Sequence, residues 1–88
     1  LSHIKIKGQC NSAKVEGIVR CLLKILRQDR LSKCIIFSEH YTMLDMIVEL
    51  LRDNQINHIY IKNHSSLQKK IEEFKHNSNI NVLLMPYS

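Results

Sequence analysis

Eighty-eight residues hold one domain at most, and 44% hydrophobic against 24% charged residues is the balance of an ordinary globular chain rather than a disordered one. A chain this short buries only about 60–65% of its unfolded surface, so its core is marginal, and no apolar stretch approaches the ~20 residues of a membrane span. The net charge of +5 is unevenly placed: Lys5, Lys7, Lys14, Arg20, Lys24, Arg27, Arg30 and Lys33 crowd the first third, whereas Glu39, Asp45, Glu49 and Asp53 face only Arg52 in the middle. A basic third is compatible with a polyanionic partner, although a solvated helix face is the commoner reason for such a pattern.

The chain opens on Leu1 with nothing like a signal peptide, and reads as an internal piece of something longer. His3-Ile4-Lys5-Ile6-Lys7 alternates with period two and breaks at Gly8, as a short strand or an extended arm would, so residues 1–11 are expected to be an N-terminal extended arm. Ser12 is placed to cap a helix running to about Gln28, with Val15, Ile18, Val19, Leu22, Ile25 and Leu26 on one stripe. Gly17 interrupts that helix at up to ~1 kcal/mol relative to Ala, which is understandable where another element packs closely. Residues 29–32 form a polar loop.

Residues 33–38, ending Cys34-Ile35-Ile36-Phe37-Ser38, are a continuous apolar run of the kind buried on both faces of a parallel sheet. Leu44, Ile47, Val48 and Leu51 then recur at helical spacing with Asp45, Glu49 and Arg52 opposite, and this second helix ends near Asp53. His58-Ile59-Tyr60-Ile61 alternates, which suits an edge strand. Ser65 with Gln68 has the spacing of a capping box. Leu67, Ile71 and Phe74 give the third helix its stripe, with Lys69 and Glu73 as an i,i+4 pair. Residues 77–79 break that helix, and 80–85 form the last strand, with Pro86 just after it.

Strands separated by helices in the order α-β-α-β-α-β predict an α/β fold: a three-layer parallel sheet with helices on both faces and right-handed crossovers. The strands over 33–38 and 80–85 are expected to leave exposed edges. Three cysteines, Cys10, Cys21 and Cys34, with no C-x-x-C pair, argue against a disulfide framework or a zinc site; Cys21 and Cys34 read as buried free thiols of a reducing compartment. Met43, Met46 and Met85 read as core.

Ligands of open α/β sheets bind beyond the carboxyl ends of the strands. Ser38, Glu39, His40 and Tyr41 stand after the first of the three main strands, Lys62, Asn63 and His64 after the second, and Pro86, Tyr87 and Ser88 after the third. Neither a G-x-x-x-x-G-K-[ST] loop nor a G-x-G-x-x-G turn is present. Ser38 and His40 are poorly spaced for a nucleophile and its base; Ser38 as a helix N-cap, with Glu39 at the positive end of the helix dipole, is the ordinary reading of that corner. The five histidines show no metal-ligand spacing.

Taken in order, Lys14-Val15-Glu16 at the head of a helix, the strand ending Phe37-Ser38, Met43-Leu44-Asp45, and Phe74-Lys75 followed by Ile80-Asn81-Val82-Leu83-Leu84 resemble the second RecA-like lobe of SNF2-type helicases from about residue 9 to 86. The segment from Tyr60 to Lys70 lacks the Asp-Gly pair and the arginine usual in that family; in this it looks like a family branch joined to RING-type E3 ubiquitin ligases. The resemblance implies that residues 12–88 are a partial helicase C-terminal lobe, cut before motifs V and VI are complete. The parent would be an ATP-dependent DNA translocase acting on chromatin in the nucleus, with ATP and Mg²⁺ held chiefly by the first RecA-like lobe of the same chain and a ubiquitin-conjugating enzyme as a further partner. This stretch alone would hold no cofactor and hydrolyse no ATP, since the arginines of motif VI lie outside it. Motif IV lies near the nucleic-acid path in the family, so Ser38 and His40, with Lys62 as a basic neighbour, are the residues expected at the DNA phosphate backbone. The competing expectation is a non-catalytic, flavodoxin-like α/β module that docks a protein through its acidic or basic helix.

Overall fold

A computed structural model describes the backbone of residues 2–6 and 11–86 and the side chains of residues 11–63 and 65–86. Strand β1 (Ser2–Ile6) is followed by helix α1 (Ser12–Gln28), β2 (Cys34–Ser38), α2 (Tyr41–Asp53), β3 (His58–Tyr60), a 3₁₀ turn over His64–Ser66, α3 (Leu67–His76) and β4 (Val82–Pro86). All four strands are parallel, in the order β1-β2-β4-β3. The expected three-layer α/β architecture is therefore present, with Ser2–Ile6 adding a fourth strand beside β2.

The handedness of the crossovers distributes the helices. From β1 to β2 and from β2 to β3 the chain moves across the sheet in one direction, so right-handed connections put α1 and α2 on the same face. From β3 back to β4 it moves the other way, and α3 lands on the opposite face. Under α1 and α2, the side chains of Val15, Val19, Leu22, Met43, Leu44, Ile47 and Leu51 pack on Ile36, Val82 and Leu84. On the other face Phe74 packs with Ile61 and Leu83, flanked by half-buried Ile35, Ile59, Ile71 and Met85.

Coverage of the two faces is unequal. A helix is about 10 Å across and strands lie about 4.8 Å apart, so one helix covers about two strands. Among the described residues, two helices cover one face of the four-stranded sheet, and α3 alone covers the other. Ile35 and Phe37 on β2 are consequently half-buried, not sealed as their apolar run suggested. They floor a groove of about 720 Å³ between α3 and the 29–33 loop, rimmed by Leu31 at 64% exposure.

Several local expectations are corrected. Asn11, not Ser12, caps α1: its side chain accepts from the Lys14 N–H at 2.8 Å, leaving Ser12 as the first helical residue. Ser65 does not form a capping box, because the nearer Asn63 side-chain oxygen Oδ1 accepts from both its N–H and its hydroxyl. The i,i+4 contact that α3 shows joins Glu72 and His76 at 3.1 Å. Pro86 ends β4 instead of following it, opposite Ser38. Strands β2 and β4 are the interior strands, since β1 lies outside one and β3 outside the other; the edges are β1 and β3. Cys34 is buried but Cys21 is exposed, and Cys10 lies outside the described residues. Gly17 has open space where a Cβ would stand, so close packing is not why it is there.

Candidate nucleic-acid interface

The parallel strands aim their carboxyl ends at one rim of the sheet, where the three expected residues stand. Ser38 closes β2 with no exposed surface. Its hydroxyl accepts from the His40 N–H at 3.1 Å and lies 3.4 Å from the His40 carbonyl, a short turn that swings the chain from strand to helix. Ser38 is thus a buried turn-former and not the N-cap of α2. That position falls to His40, which has extended backbone angles and no capping bond from its side chain. Glu39 stands outside the helix, and the first turn of α2 has no acidic residue.

His40 is exposed. Lys62, exposed just beyond β3, stands with its Nζ 5.3 Å from the Tyr60 ring centroid. A side chain joins these two positions, from a residue that the sequence reading placed at the strand end but gave no role. Tyr41, the first residue of α2, donates its hydroxyl to the Lys62 carbonyl at 3.1 Å. A second tyrosine crosses the other way: Tyr60 on β3 donates to Asp45 Oδ1 at 2.9 Å. Burial, and then the bond to Asp45, hold the Tyr60 hydroxyl well above the usual phenol range, so it stays a donor throughout the physiological range. Tyr41 and Asp45 lie one turn apart on α2, and Tyr60 and Lys62 two residues apart. Those spacings are the signal that could have found the cluster.

The corner can therefore offer one ammonium and one imidazole, with a buried serine shaping the turn between strand and helix. Its surroundings are mixed in charge, with Glu39 and Asp45 exposed nearby. Among the other candidates, His58 Nδ1 contacts the Ile56 carbonyl at 3.0 Å. Met43 is buried, and Met46 and Met85 pack at the edges of the two cores. Among the described residues no group of His, Cys, Asp and Glu could hold a metal ion, and no helix is long and apolar enough to cross a membrane.

No family model matches the chain. Its sequence is similar to the proteins described as E3 ubiquitin-protein ligase SHPRH in Mus musculus and in Homo sapiens, each 37% identical over 83 residues that make up 94% of this chain. The chain spans about 5% of the length of these curated relatives. It is a distant homologue of a short segment of each.

Proposed function

We propose that the chain is a piece of the second RecA-like lobe of an ATP-dependent, SNF2-type DNA translocase that is also an E3 ubiquitin ligase, and that its own share of the work is a grip on the DNA phosphate backbone. The observation that carries this reading is the 37% identity to E3 ubiquitin-protein ligase SHPRH over 94% of the chain. The parallel sheet supports it by gathering the motif IV corner and the loop after β3 on one rim. In this reading the parent works on chromatin in the nucleus. ATP and Mg²⁺ sit chiefly on its first lobe, and a ubiquitin-conjugating enzyme meets a different part of it. Lys62 and His40 touch phosphate, which positions the lobe without reading sequence. Ser38, with no exposed surface, shapes their corner and leaves the contact to them.

The test is fluorescence anisotropy of a labelled DNA duplex titrated with the chain from low to physiological salt. Binding is expected to weaken as salt rises, and Lys62→Ala is expected to lower the log–log salt slope by about 0.9, the loss of one phosphate neutralised. Absence of binding at the lowest salt overturns the DNA grip.

The groove over Ile35 and Phe37 favours a second reading, the flavodoxin-like protein-interaction module. An apolar contact there takes no phosphate, so this reading expects no duplex binding even at the lowest salt, which separates the two in the same titration.

A further inference from the structure

The two tyrosine hydroxyls cross between the same pair of segments. One runs from α2 to the chain beyond β3 (Tyr41 to the Lys62 carbonyl), the other from β3 back to α2 (Tyr60 to Asp45). The Lys62 ammonium stands over the ring of Tyr60, so all four residues belong to one cluster. Because β4 lies between β2 and β3 in the sheet, the cluster bridges the end of an intervening strand.

Packing accounts for Tyr60, which is half-buried against the α1/α2 core. It does not account for Tyr41, whose side of α2 leaves it 49% exposed. The directional feature of Tyr41 is its hydroxyl bond to Lys62. The ladder that could otherwise fix Lys62 has ended by then: the Ile61 N–H bonds to Leu84 O, and β3 is only three residues long. Lys62 follows an edge strand, and its backbone beyond the ladder has conformational freedom to lose on meeting a ligand. Holding its backbone to the first residue of α2, the neighbour of His40, removes part of that cost beforehand.

We propose that Tyr41 is a positioning residue that ties Lys62 to the His40 corner, so that the two present themselves to a phosphate backbone as one preorganised unit. This deepens the phosphate-contact reading and rests on it. Tyr41→Phe removes the hydroxyl and keeps the ring, so it breaks the tie with little change to packing. In the duplex titration it is expected to weaken binding about fivefold, the effect of one net hydrogen bond, and to lose that effect when Lys62→Ala is also present. Hydrogen exchange at the Ile61 amide, which bonds to Leu84 O just before Lys62, is expected to quicken in the same variant. If the unmodified chain binds and Tyr41→Phe binds equally well, or if its penalty is the same with and without Lys62→Ala, the positioning role is overturned and the phosphate reading survives. Unchanged exchange at Ile61 overturns the tie itself. If the unmodified chain does not bind, the phosphate reading fails and takes the ligand role of Tyr41 with it.

Discussion

Cys21 and Cys34 show how much depends on a residue's place within its element. Both read as buried from the sequence, Cys21 for its helical apolar surroundings and Cys34 for its strand. Cys34 points into the core at 3% exposure, as its place inside an apolar strand required. Cys21 is exposed: it stands roughly 120° round the helix from Val15 at 100° per residue, off the apolar stripe. Position decided, and the helical wheel already held that answer. The two thiols should behave differently. Burial, reinforced by Cys21, pushes the Cys34 thiol up to about 11. In the unfolded chain it titrates near its ordinary value, so the folded state holds its proton longer. This contribution to stability is fully present below about pH 9 and is lost as pH rises through about 11. In a Cys10→Ser background, iodoacetamide should label Cys21 rapidly and Cys34 only when denaturant unfolds the chain, as read by mass spectrometry. Denaturation midpoints should fall between pH 9 and 11, and the part of that fall due to the thiol should disappear in Cys34→Ala. Rapid labelling of Cys34 in the native chain would mean that β2 is not covered by α1 and α2.

Among the elements, the helices were legible and their ends were not. Apolar spacing in α1, α2 and α3 fixes which side of each helix faces the sheet, because burial rewards every member of the stripe. A cap is a single hydrogen bond, and neighbouring side chains compete for it on nearly equal terms. Asn11 prevails over Ser12 at the head of α1, and Asn63 takes the groups of Ser65 before α3. Gly17 was legible as a cost but not in its cause. It is exposed, and an added Cβ would meet nothing within 4 Å. It lies inside a 17-residue helix, where glycine forfeits backbone entropy that alanine does not. Gly17→Ala should therefore stabilise the chain by about 0.5–1 kcal/mol, raising the thermal midpoint by a few degrees. An unchanged or lower midpoint in a thermal melt would show that something unseen closes on that face of α1.

For the whole molecule, alternation of strands and helices was enough to give a parallel sheet with helices on both faces. The rule that ligands gather beyond the carboxyl ends of strands names the corners that hold Ser38, His40 and Lys62, and the resemblance to SNF2-type helicases is what sets those three apart from their neighbours. Strand order was not legible, and two consequences were missed with it. The tie between Tyr41 and Lys62 joins the segments that follow β2 and β3, two strands with β4 between them in the sheet. The edges fall at β1 and β3 because the alternating residues near the N-terminus pair with β2 from Ser2 opposite Cys34 to Ile6 opposite Ser38. That pairing has a consequence for the molecule as a whole. Strand β2 is apolar along its length, and without β1 its outer backbone groups would face solvent as a template for another chain. A chain lacking residues 1–6 should melt at least about 5 °C lower, the shift that about 1 kcal/mol makes in a domain of this size. It should also associate as its concentration rises, through β2 edges that meet one another. Sedimentation velocity and a thermal melt on the shortened chain measure both effects. A monomer of undiminished stability would mean that β1 contributes nothing to holding the sheet, and that three strands are the folding unit.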